Sequence, residues 1–163
     1  MTGVQTCALP IYIESSVVSY LTARPSNDQI KNSWQSVTQQ WSAIKLGMVT
    51  GCISPYVVQE IQSGDSNAAK DRIDAVRALP VLETNTEIEA IADYLLLGGG
   101  LPQKARLDAL HIACAAFHSV NILLTWNFKH IANPVQLPIM RGLCAAKGYR
   151  LPELVSPQEM LES

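Results

Sequence analysis

The sequence has no excess of basic residues: 12 Lys and Arg stand against 14 Asp and Glu, for a net charge of −2. A polycationic nucleic-acid binder is therefore excluded, and a polyanion would have to be held by a local basic patch or through metal ions. Cysteine is sparse. Cys7, Cys52, Cys114 and Cys144 show no CxxC or Cys/His ligand spacing, and each lies in an apolar stretch. They read as small buried hydrophobes in a reducing cytosol. No apolar run is long enough to cross a bilayer, so no membrane partner is expected. There is no P-loop, and no DxDx(T/V) nucleophile motif follows the first expected strand, which argues against a phosphoryl enzyme of those types. What remains is a chain of 163 residues, 48% hydrophobic and 16% charged, a balance that fits one globular domain.

The leader stands apart. Residues 2–11, TGVQTCALPI, resemble the translation of a common sequencing-library adapter, which would make the chain a gene fragment whose native start is lost. A signal peptide is the competing reading, but there is no basic n-region and no apolar h-region. Residues 1–10, with Cys7, are therefore set aside as a non-native leader, and the domain is expected over residues 11–163.

Strands and helices then alternate. Residues 11–13 read as the end of a buried strand, with Ser15 and Ser16 opening a helix. A polar helix through Trp34, Val37, Trp41 and Ile44 is expected to end near Gly47, followed by a strand at residues 48–53. Ser54-Pro55 is an N-cap with proline at the first helical position. Gly64 ends that helix, and Asp65 opens another through Ala69, Ile73 and Val76. A short extended piece at 81–83 precedes a helix over 85–97. After Gly98-Gly99-Gly100 a helix is expected from about Pro102 to Phe117. Residues 120–125, VNILLT, are the clearest central strand, with a helical turn at 127–131 beyond it. Ser156 to Glu159 form a capping box for a last short helix. This alternation predicts an α/β fold with a mostly parallel central sheet flanked by helices. Ligands in such sheets bind at the carboxyl ends of the strands.

Polar residues past the strands converge on one set. Glu14 follows the first strand directly, where it could equally be a helix cap. Glu60 lies on the helix after the second strand, and Asn127 lies just past VNILLTW. Asp108 interrupts an apolar helix between Leu107 and Ala109. Burying an aspartate there costs several kcal/mol unless it is paired or bound to metal. The alternative to a metal is an ion pair with Arg106, Lys104 or His111. Three carboxylates at one sheet edge repel unless a cation neutralises them. Oxygen ligands without a cysteine or histidine cluster select Mg²⁺ or Mn²⁺ over zinc. Such a site suits phosphodiester hydrolysis.

In that order, YIESSVVSYLTARPS, YVVQEI with the following SGD, RLDALHIACAA and ILLTWNFKHIAN resemble the successive motifs of the PIN domain, nearest to the VapC-like branch of toxin–antitoxin ribonucleases. The resemblance runs from Ile11 to the C-terminus. It implies a three-layer α/β/α fold with a doubly wound parallel sheet and Mg²⁺- or Mn²⁺-dependent cleavage of RNA. It further implies a cognate antitoxin that blocks the groove, a homodimer and a cytoplasmic location. The family's three acids fall on Glu14, Glu60 and Asp108, and its fourth, acidic or amide, position falls on Asn127. Ser15 takes the small-hydroxyl position after the first acid, and Thr125 lies near the last ligand. Two departures stand out. The first acid is commonly aspartate, and Asn127 is neutral where many relatives carry a charge. One firmly held Mg²⁺ is easier to justify than two.

Around this set, His111 reads as a core partner or a proton shuttle. Lys104, Arg106, Lys129 and His130 could form a basic rim for phosphate, or be solvated charges. Trp126 could stack on a base but fits packing better, and Trp34 and Trp41 read as core or dimer contact. A module on the same fold that binds RNA or a protein without efficient turnover is the alternative function.

Overall fold

The computed structural model describes residues 10–163. Its centre is β1 (Pro10–Ile13), in which Ile11 and Tyr12 have no exposed surface and Ile13 only 4%. A strand buried on both faces is what a parallel sheet covered by helices requires. β2 (Thr50–Cys52), β3 (Ile122–Leu124) and β4 (Glu153–Val155) join it in the order β2-β1-β3-β4, all parallel. Chain order therefore reverses between β1 and β3, which is the switch point of a doubly wound sheet.

Eight helices flank the sheet among the described residues. They are α1 (Ser15–Thr22), α2 (Gln29–Lys45), α3 (Pro55–Ile61), α4 (Ser66–Val76), α5 (Thr86–Leu97), α6 (Arg106–Phe117), α7 (Leu137–Ala146) and α8 (Pro157–Glu162). α1, α2, α4 and α8 pack against one another, as do α5, α6 and α7, and α3 touches both α1 and α6. This is the expected α/β architecture, a PIN-like three-layer arrangement. Caps set the helix starts. Ser54, Asp65 and Asn85 each accept an amide of the helix they open, and Ser156 and Glu159 form a reciprocal capping box. None of the described helices is long and apolar enough to cross a membrane.

Several boundaries differ from expectation. Residues 46–48 form a 3₁₀ turn, so β2 starts at Thr50. Residues 102–105 are a turn closed by the Ala105 amide on the Pro102 carbonyl, and α6 begins only at Arg106. Val81 makes one parallel bridge to Ile53, which accounts for the short extended piece. Asn127 heads the expected turn at 127–131, its side-chain oxygen accepting the His130 amide at 2.9 Å and its carbonyl the Ala132 amide at 2.8 Å. α7 and β4 were not expected. β4 is a half-exposed edge strand with one neighbour, so it lacks an apolar run. Pro10, set aside with the leader, is the first residue of β1 and pairs with Thr50. The rest of the proposed leader, Cys7 included, lies outside the described residues.

The tryptophans are packing elements. Trp41 is buried, and Trp34 stacks on Trp126 with centroids 4.7 Å apart and planes at 10°. Trp126 also donates its indole N–H to Thr38 at 2.8 Å. Leu123, fully buried in β3, anchors the sheet. Leu123→Ala is expected to cost about 2–5 kcal/mol, read from urea unfolding, and a loss under about 1 kcal/mol would contradict this packing.

Candidate functional site

Glu14 follows β1 and caps α1. It is 4% exposed, and its amide bonds the Leu124 carbonyl of β3 at 3.1 Å. Its carboxylate accepts the Ser16 amide at 3.0 Å on Oε2, and the Ser16 and Thr125 hydroxyls at 2.5 and 2.6 Å on Oε1. The helix-cap reading of this residue is thus real. It does not exhaust the carboxylate, since each oxygen offers two lone pairs and Oε2 receives a single donor.

Glu60 comes from the last turn of α3. Its Oε1 accepts the Ser15 hydroxyl at 2.6 Å and lies 2.5 Å from His111 Nε2. No described hydrogen bond reaches its Oε2. Burial pushes the Glu60 carboxyl up, but the His111 hydrogen bond and charge and the Ser15 hydroxyl outweigh it, so the net shift is downward. His111 has no exposed surface, and its Nδ1 lies 2.6 Å from the Tyr12 hydroxyl, which lies 2.6 Å from Ser54 Oγ. His111 is therefore a buried partner of Glu60, as one of its two readings held.

Asp108 corrects its own argument. Because α6 begins at Arg106 rather than Pro102, Asp108 stands in the first turn, where the helix dipole favours a carboxylate. Its side chain is 18% exposed, not buried among apolar neighbours, and its Oδ2 pairs with His130 Nδ1 at 2.9 Å. Arg106, Lys104 and His111, the partners considered from sequence, do not pair with it. Arg106 bonds Asp93 instead. Lys104 and Lys129 are exposed. Asp108 still belongs to the same network. His130 donates its amide to Asn127, Asn127 donates its amide to Thr125 Oγ1 at 2.9 Å, and Thr125 donates to Glu14.

Glu14, Glu60 and His111 form a group whose candidate ligand atoms all lie within 4.8 Å of one another. Asp108 and Asn127 are not in that group. The residues that sequence reasoning missed are Tyr12, Ser54 and Ser16. Tyr12 carried one signal, a phenol hydroxyl in an otherwise aliphatic strand, which needs a partner when buried. Two carboxylates converging with an open oxygen at the switch point suit a hard divalent cation.

No family model and no curated protein matches the chain. A solved structure does. It is VapBC2 from Rickettsia felis bound to a DNA fragment from their promoter, with a TM-score of 0.52 and 17% identity over 77% of this chain and 94% of that one. The likeness is one of fold. It agrees with the PIN-like three-layer arrangement and with the all-parallel sheet described above.

The depressed Glu60 carboxyl has a consequence for stability. A carboxyl held below its unfolded value contributes stability that is present above that value and is lost as pH falls through the folded one. Urea unfolding from neutral pH to below the ordinary glutamate value of 4.5 is expected to show a steeper acid decline in the wild type than in Glu60→Gln. Parallel curves would contradict the His111 and Ser15 contacts.

Proposed function

We propose that the chain is a metal-dependent endoribonuclease that hydrolyses RNA phosphodiester bonds, and the toxin of a type II toxin–antitoxin pair. The observation that carries this reading is the convergence of Glu14 and Glu60, from separate elements, at the switch point of the sheet. One Mg²⁺, or Mn²⁺ in its place, would be held by Glu14, Glu60 and Asp108, with the Asn127 amide oxygen as a fourth ligand. A bound cation there would supply an acidified water and charge neutralisation at the phosphate. The chain's own residues position these ligands. Ser15, Thr125 and Ser16 fix the carboxylates, and His130 holds Asp108 at the mouth of α6.

Substrate and partners follow the same reading. RNA would approach past the exposed Lys104 and Lys129, which offset locally the net charge of −2. A cognate antitoxin, a homodimer and a cytoplasmic location fit the motif resemblance, and the matched structure carries the VapBC name. Purified protein is expected to cleave RNA with Mg²⁺ or Mn²⁺, and Asp108→Asn to lose about a hundredfold or more of that rate, on the order of a lost electrostatic stabiliser. Equal rates in the two proteins would sink the assignment.

A second reading is a module that binds RNA or a protein without efficient turnover. It is favoured by one specific observation: Asn127 spends its side-chain oxygen on its own turn. Isothermal calorimetry separates the two readings. The nuclease reading expects Mn²⁺ binding at millimolar metal or below. No binding there, with RNA affinity retained, would favour the module.

A further inference from the structure

Behind Glu60 a row of buried polar side chains runs into the core, and all of it is out of reach of solvent. Tyr12, Ser54 and His111 each have no exposed surface. Their contacts are Ser54 Oγ to Tyr12 Oη at 2.6 Å, Tyr12 Oη to His111 Nδ1 at 2.6 Å, and His111 Nε2 to Glu60 Oε1 at 2.5 Å. An ionised carboxylate only accepts, so the Nε2 hydrogen points at Glu60. With a neutral ring, Nδ1 then accepts from the Tyr12 hydroxyl, and Tyr12 in turn accepts from Ser54. Ser54 Oγ keeps a lone pair for the Tyr56 amide of the helix it caps. The chain has one direction, and every donor in it is spent.

We propose that Tyr12 and Ser54, acting through His111, are positioning residues for Glu60, locking Oε1 in place so that Oε2 is the oxygen offered to the divalent cation beside Glu14. This rests on the metal reading given above. A glutamate has three side-chain torsions, and ordering a long side chain costs on the order of 1–2 kcal/mol. Ser15 and the imidazole prepay that cost by converging on one oxygen. The imidazole is itself fixed because its far nitrogen is tied to β1, the most deeply buried strand. Partners that orient a ligand from behind typically change metal affinity by about ten- to a hundredfold when removed. The Ser15 hydroxyl remains on Glu60 when the imidazole is cut away, so the loss is graded rather than complete.

The test titrates Mn²⁺ into the full chain by calorimetry and follows RNA cleavage against Mn²⁺ concentration, for wild type, Tyr12→Phe, His111→Leu and His111→Gln. Tyr12→Phe keeps the ring and removes the one hydroxyl. It is expected to stay folded by circular dichroism, to bind Mn²⁺ about tenfold more weakly, and to keep its KM for RNA. His111→Leu is expected to lose more. His111→Gln restores an N–H near the Nε2 position and is expected to recover affinity to within a few-fold of wild type. Unchanged Mn²⁺ affinity in folded Tyr12→Phe overturns the proposal, as does a Gln variant no better than a folded Leu variant. If His111→Leu fails to fold, Tyr12→Phe decides. A wild type that neither binds Mn²⁺ nor cleaves RNA removes the metal reading itself, and the proposal with it.

Discussion

Glu14, which is buried, and Glu60, which is half-buried, place two carboxylates in one small space, and their mutual repulsion is the constraint around which the neighbourhood is built. Buried charge without partners costs several kcal/mol per ion. Here it is met by an amide, three hydroxyls and an imidazole, and by no lysine or arginine. The salt bridges of Arg77 with Asp74 and of Arg106 with Asp93 are formed by more exposed side chains. The amide and the hydroxyls are neutral donors, which stabilise the carboxylates without cancelling the negative field of the pair. That is the electrostatic condition under which a small divalent cation gains most by entering.

The fold brings the two together through strand order rather than through local sequence. β1 and β3 are neighbours although more than a hundred residues separate them, so Thr125 past β3 reaches Glu14 past β1. The same carboxyl edge receives the start of α1 at Glu14, and α6 carries Asp108 in its first turn. The partial positive charge of a helix N-terminus favours a carboxylate in both places.

Much of this was legible in the residues themselves. The apolar runs of β1 and β3, the Ser54-Pro55 start and the Ser156 capping box each carry a local signal that the fold obeys. β4 was illegible because an edge strand with one neighbour does not need an apolar run. The setting of Asp108 was misread for a different reason. Proline at position 102 suggested a helix start that the chain delays to Arg106, and those few residues move Asp108 from a helix interior to its open end. Ser54 was legible only in half. Its capping role is local, whereas its bond to Tyr12 spans 42 residues and follows from the pairing of β1 with β2.

The misplacement of Asp108 also sharpens what each acid can contribute. Glu60 commits Oε1 to two donors and leaves Oε2 without one, and Asp108 commits Oδ2 to His130 while no described bond reaches Oδ1. Each therefore keeps one oxygen uncommitted, and Glu14 keeps spare lone pairs on an oxygen that caps a helix. The supports differ in kind. The Glu60 side chain is itself 31% exposed but is held from inside by a fully buried ring, whereas Asp108 is held by a ring that is partly open to solvent. Solvent reaches both partners of the His130 contact but only the carboxylate of the His111 one. On the proposed reading, the more firmly held Glu14 and Glu60 would set where a cation sits, and Asp108, in the first turn of α6, would complete its shell.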